Sequence, residues 1–247
     1  MIVAESVGFA GTHTICGILE HLPDFEVMHG SQTWGVTGPE GLTGPGRQSP
    51  EDFAAGMVRA AQAGARPVAV HCLFPPAAFK PACDRHGIRY SLLVRDPARQ
   101  IDSCYAWALG KVLSGDQSGF VAAMQLGLPA LNGLGVRATL SNTLFTYAAI
   151  HVARYTMLVH ATGAPVLRME ELLEDEAQFR AAFDVPGEVP LGHFAEERVH
   201  LWSHRKSNPV ELVAEPDRAA ILERLRIDVE GRPWSVAGIA ETLGYAR

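Results

Sequence analysis

The chain has 247 residues, 47% of them hydrophobic and 19% charged, with a formal net charge of −6. That apolar content supplies a packed core and excludes global disorder, and the length suits one large domain over residues 1–247. The acidic balance excludes a nucleic-acid binder that works by bulk basic charge, so an anionic ligand needs a local cluster of Arg, Lys and backbone N–H groups.

Strands and helices alternate through the first half, the pattern of an α/β fold with parallel strands. Residues 2–7 read as the first strand. A small-residue loop over 8–14 follows, and Ile15, Ile18, Leu19 and Leu22 recur at helical spacing. Residues 25–28 read as a short second strand. The Gly/Pro segment 35–46 reads as a turn or surface connection, with a flap over an acceptor site as the sharper alternative. Ser49-Pro50-Glu51-Asp52 is a helix start, with Ser as N-cap, Pro at the first position and acids in the first turn. That helix is expected to reach about residue 63.

Residues 67–74 (PVAVHCLF) read as a buried strand whose one polar residue is His71, and 76–86 as a helix. Residues 90–94 (YSLLV) read as another buried strand, after which Asp96-Pro97 caps a helix. Further helices are expected over 119–126 and 141–160. A late strand is expected over 165–168, and an acidic helix start at Glu170-Glu171. Residues 185–209 read as irregular, and the chain from Glu215 onward as helical. No linker divides the chain. No apolar run approaches the roughly 18–20 residues of a membrane span, and MIVAESVGFAGT lacks the basic leader of a secretory signal. Cys16, Cys72, Cys83 and Cys104 form no CxxC pair, which predicts buried, reduced thiols in a cytoplasmic protein.

Two segments can carry chemistry. In Gly8-Phe9-Ala10-Gly11-Thr12-His13-Thr14, a strand, a loop and a helix start aim N–H groups at one spot, and two hydroxyls accompany them. Such a turn suits a phosphate or sulfate group. It lacks the Lys of a GxxxxGK[ST] loop, and an ordinary strand-to-helix turn looks much the same. In the second segment, Arg95 ends a buried strand, and Ser103 lies about two helical turns beyond the cap Asp96. Arg95, Arg99 and Ser103 can therefore face one ligand at the carboxyl edge of a sheet, where open α/β sheets bind ligands. An Arg95 ion pair with Asp96 or another acid explains the same spacing.

The Arg-Asp-Pro turn with Ser103 eight residues after Arg95 resembles the 3′-phosphate-binding segment of the PAPS-dependent sulfotransferases, where PAPS is 3′-phosphoadenosine 5′-phosphosulfate. The order of parts is also similar. Gly11-Thr12 lies where that family has its 5′-phosphosulfate loop, and Val70-His71 where it has a strand ending in a catalytic His. The segment 167–173 (LRMEELL) and His204-Arg205-Lys206-Ser207 resemble its late acidic and C-terminal basic segments.

The resemblance implies a three-layer α/β sandwich with a central, mostly parallel sheet, similar to the P-loop NTPases. It implies a sulfuryl transfer from PAPS to a hydroxyl acceptor on a small molecule or glycan, with no metal. Gly11, Thr12, His13 and Thr14 would cradle the 5′-phosphosulfate. Arg95 and Ser103 would hold the 3′-phosphate, completed by Arg205 and Lys206. His71 would take the acceptor's proton. Phe9 and Ala10 stand where the family has a Lys or Arg, and His13 is the residue that would replace that cation. Ala69 replaces a Lys two positions before the catalytic His, and Met169 an aromatic near the adenine. Two other readings stay open: a binding protein for the nucleotide or a partner without catalysis, and an atypical nucleotide-dependent phosphotransferase.

Three other features are weaker. His200 and His204 have helical ligand spacing but no HExxH glutamate. Ser118 is not in a GxSxG elbow. Trp34, Trp107 and Trp202 are ordinary packing residues or acceptor-pocket walls.

Overall fold

Short β-rich segments bounded by Gly, Pro and Asp set the strands. The computed structural model describes residues 1–30, 37–38, 41–42, 48–115, 118–192, 194 and 213–245. In chain order the strands are β1 (Ile2–Glu5), β2 (Phe25–His29), the two-residue β3 (Thr37–Gly38) and β4 (Gly41–Leu42), β5 (Arg66–Val70), β6 (Arg89–Val94), β7 (Val166–Arg168), β8 (Ile227–Val229) and β9 (Arg232–Trp234). The helices are α1 (Thr12–Glu20), α2 (Pro50–Gln62), α3 (Pro76–Arg85), α4 (Pro97–Leu113), α5 (Ser118–Ala122), α6 (Leu128–Asn132), α7 (Leu140–Ala161), α8 (Met169–Glu174), α9 (Glu176–Phe183), α10 (Glu215–Arg224) and α11 (Val236–Thr242). Cα packing divides the chain into two compact units. The first is Met1–Arg95 with Leu158–Lys206, and the second is Asp96–Met157 with Ser207–Arg247.

The first unit holds a five-stranded sheet in the order β2-β5-β1-β6-β7, and every pairing in it is parallel. Because strand side chains alternate, each strand feeds two faces. Ile2, Ala4, Val68, Val70 and Leu93 pack with Ile15, Ile18 and Leu19 of α1, Leu172 of α8, and Phe179 and Phe183 of α9. Tyr90, of opposite parity to Leu93, meets Phe79 of α3 edge-on at 5.6 Å, and Phe79 meets Phe53 of α2 at 5.7 Å. Helices therefore cover both faces, giving the three layers of an α/β fold. Since all five strands run the same way, the loop after β1, His71 after β5 and Arg95 after β6 leave one edge of the sheet. β1 lies between β5 and β6, so this is the point where the chain's course across the sheet reverses.

In the second unit, α4 buries Ile101, Cys104, Tyr105, Ala108 and Leu109. Tyr105 packs edge-on against Phe145 of α7 at 5.7 Å. Arg218 of α10 grips Asp102 through two hydrogen bonds of 3.0 and 2.9 Å while lying over the Phe145 ring. The forked geometry ties α10 to α4.

Several boundaries differ from the sequence expectations. The first strand stops at Glu5, two residues short of Val7, because the chain turns through Gly8 and Phe9 in the left-handed region. The 67–74 strand ends at Val70, where His71 and Leu73 take φ of 60° and 61°. The helix expected over 119–126 is α5 followed by a π-helical turn, Ala123–Gly127, and α6. Pro129 cannot donate to an α-helical ladder there, and a side chain at Gly127 would strike the Thr143 carbonyl. The stretch after Glu215 is not one helix. Beyond α10 the β8–β9 hairpin turns at Glu230 and Gly231, both left-handed, with φ of 52° and 77°. Ser235 then caps α11. The Ser49-Pro50 and Asp96-Pro97 helix starts are as expected. All four cysteines are free and buried. Among the described residues no helix is long and apolar enough to cross a membrane.

Candidate functional site

Beyond β1 the backbone makes a cradle with glycine at two crowded, left-handed points. Gly8 has φ of 92°, and a Cβ there would come within 3.0 Å of the His71 ring. Gly11 has φ of 67°, and a Cβ there would lie 2.7 Å from Met169 Sδ. Both positions thus combine left-handed backbone with missing space. Gly11 is the N-cap of α1 and offers no side-chain cap. The first hydrogen bond of the helix runs from Ile15 N–H to the Gly11 carbonyl. The N–H groups of Thr12, His13 and Thr14 lie outside the helical ladder at the positive end of the helix dipole. Ala10 and Ile15 are buried behind them and anchor the turn in the core. Such a helix start can hold a tetrahedral anion.

Three imidazoles gather at this turn. His29 is the last residue of β2, and the parallel register sets it beside Val70, immediately before His71. The His29 and His71 rings lie 5.3 Å apart. His13, exposed on the first turn of α1, stacks on His29 with centroids 4.0 Å apart and planes at 17°. Thr12 and Thr14 are buried, and Thr12 Oγ1 shares a hydrogen bond of 2.9 Å with His29 Nε2. The Thr12 hydroxyl is therefore engaged by the strand next door. Sequence reasoning missed His29 because it ended β2 at Met28. The signal was one more residue of strand, which places a second imidazole at the carboxyl edge. Among the described residues no three His, Cys, Asp or Glu side chains are arranged to hold a metal ion.

Burial sets the protonation of the two inner rings. It pushes the His29 pKa down to about 3, with His13 and His71 adding repulsion. It pushes His71 down to about 4, opposed by the Ser6 carbonyl and reinforced by His13. Both are neutral at pH 7. The hydrogen bond of 2.8 Å between His71 Nδ1 and the Ser6 carbonyl fixes the tautomer, because a carbonyl only accepts. Nδ1 carries the proton, and Nε2 keeps its lone pair. The backbone N–H of His71 donates to the Ala4 carbonyl at 3.1 Å, so β1 holds both the main chain and the ring.

The remaining residues picked from sequence lie as follows. Arg95 is half-buried and follows β6 directly, in the first unit. In the second unit, Asp96 caps α4 by accepting the Arg99 N–H at 2.9 Å. Ser103 is half-buried, and its hydroxyl donates to the Arg99 carbonyl at 3.1 Å. Arg168, in the late acidic segment, bonds Glu171 at 2.6 Å. Trp107 is 48% exposed with Lys111 over its ring, so it is not a core residue. Arg205, Lys206, His200, His204, Trp34 and Trp202 lie outside the described residues, as does most of segment 35–46. Within that segment, β3 and β4 pair antiparallel.

No protein-family model matches the chain, and no curated protein matches it. Among solved structures it is similar to the crystal structure of a sulfotransferase from Alicyclobacillus acidocaldarius, with 15% identity and a TM-score of 0.43. The match covers 89% of this chain and 93% of that one.

Proposed function

We propose that the chain is a sulfotransferase that uses PAPS as co-substrate and a hydroxyl on a small molecule or glycan as acceptor. The observation that carries this reading is His71. It is a buried, neutral imidazole against Gly8, with Nδ1–H held by Ser6 and Nε2 available as a base. A base beside a glycine-lined anion cradle is what transfer of an anionic group to an alcohol requires.

The residues present fit such a co-substrate. Gly11 lets the α1 start approach an anion closely, and the N–H groups of Thr12, His13 and Thr14 supply donors. His13 takes the place of the family's loop cation, where this chain has Phe9 and Ala10. On the sequence pattern, Arg95 and Ser103 hold the 3′-phosphate, with Arg205 and Lys206 completing its charge balance. PAPS, when bound, supplies the sulfuryl group and leaves as adenosine 3′,5′-bisphosphate. His71 Nε2 accepts the proton lost by the acceptor oxygen as that oxygen forms its bond to sulfur. In this reading residues 1–247 act as one functional domain, and the reduced thiols support a reducing compartment such as the cytoplasm.

Phe9 and Ala10 favour one competing reading, a protein that binds the desulfated nucleotide without turnover. Incubation with sulfur-labelled PAPS and a mixed panel of phenols, alcohols and sugars separates the two. The expected result is label in at least one acceptor, dependent on the protein. Tight PAPS binding with no labelled acceptor across the panel would favour the binding protein.

A further inference from the structure

We propose that Glu5 is a positioning residue that sets the tautomer and aim of His71, a role that rests on the sulfotransferase reading only for its consequence in catalysis. Glu5 is the last residue of β1 and is fully buried. A carboxylate is rarely buried without a purpose that repays its desolvation. Its Oε1 accepts two backbone N–H groups, those of Ser6 and Leu73, each at 3.0 Å. Both residues are close to His71, one by hydrogen bond and one along the chain. Ser6 supplies the carbonyl that binds His71 Nδ1–H at 2.8 Å. Leu73 lies two residues beyond His71 in the chain.

The segment that Glu5 grips is strained. His71 and Leu73 both adopt left-handed backbone, with φ of 60° and 61°, although neither is glycine. Such conformations persist only where the surroundings hold them, and they cluster at functional sites. Here one oxygen bridges the loop after β1 to the segment after β5. It fixes the Glu5–Ser6 peptide, anchoring Ser6 on the side next to the carbonyl that holds His71, and pins the left-handed turn at Leu73. The ring is also packed closely by Gly8, where an added Cβ would lie 3.0 Å from it. Oε1 acts through acceptor geometry, since the Ser6 and Leu73 groups it holds are both N–H donors. A glutamine oxygen at the same place can accept the same two bonds.

The test reads the His71 ring directly. Nitrogen-15 NMR of the full chain, labelled at histidine, distinguishes the Nδ1–H from the Nε2–H tautomer and does not depend on turnover. In the wild-type chain and in Glu5→Gln, His71 is expected as the Nδ1–H tautomer. In Glu5→Met it is expected as a mixture. In the transfer assay Glu5→Met should lower kcat about a hundredfold, with KM for PAPS within about threefold and activity recovered in Glu5→Gln. A wild-type tautomer and kcat in folded Glu5→Met would overturn the proposal, as would loss of the Nδ1–H tautomer in Glu5→Gln. Should Glu5→Met not fold, amide exchange on the wild-type chain decides. Slow exchange at Ser6 and Leu73 supports the clamp, and loop-like exchange there refutes it. Absence of transfer in the wild-type chain would refute the sulfotransferase reading while the tautomer result still judges Glu5.

Discussion

His71→Ala should abolish sulfuryl transfer while leaving nucleotide affinity almost unchanged. The variant removes Nε2, the atom assigned to take the acceptor's proton. Losing a positioned general base costs about 10²–10⁴-fold in rate. The anion cradle should survive, because its donors are main-chain N–H groups at the start of α1, anchored by Ala10 and Ile15. The effect should fall on kcat, with the dissociation constant for adenosine 3′,5′-bisphosphate within about threefold of wild type. Steady-state kinetics with labelled PAPS and a calorimetric titration provide the two numbers. Unchanged turnover in folded His71→Ala would make His71 a core histidine and move the base elsewhere.

The second large effect is acid lability. His29 and His71 have pKa values of about 3 and about 4 in the folded chain, against an ordinary value of 6.5. The unfolded chain therefore binds more protons than the folded one below pH 6.5, and stability rises with pH across that window. The contribution of each ring is fully present above about pH 6.5 and shrinks as pH falls, with a loss of about 2 kcal/mol per ring by pH 5. It levels off near pH 4 for His71 and near pH 3 for His29. Urea unfolding at pH 7 and pH 5 measures the difference, and a His29→Gln/His71→Gln double variant should lose most of it. Equal pH dependence in wild type and double variant would show that these rings are not the source.

The contrast between these two histidines shows what the sequence revealed. His71 stands out in the sequence as the single polar residue of an apolar strand run, and its reading as a base comes from the family resemblance. His29 ends a strand that looks like any half-buried edge segment, and only the register against Val70 brings it to the same spot. The helix starts at Ser49-Pro50 and Asp96-Pro97 were legible because capping is a local matter of two or three residues. The end of β1 was not, because Glu5 looks like part of an apolar–polar alternation. Its burial depends on the Leu73 N–H, 68 residues away. The β8–β9 hairpin escaped notice for a different reason. Its strands are three residues long, one contains Pro233, and the turn residue before Gly231 is Glu230 rather than Asn or Asp.

The sheet edge also shows how segments far apart in the chain come together. In a parallel sheet with β1 between β5 and β6, the segments after these three strands emerge side by side. Motifs far apart in the chain, at residues 8–14, at His71 and at Arg95, thus share one edge by topology alone. In the proposed function, the chemistry depends on which anion that edge selects.

Calorimetric titration of the purified chain with adenosine 3′,5′-bisphosphate, against ATP and ADP, measures that selection. The account predicts that the bisphosphate binds about a hundredfold more tightly than either, and that Arg95→Ala erases the preference by removing a bidentate phosphate contact. Equal affinity for ATP, or a preference untouched by Arg95→Ala, would contradict it.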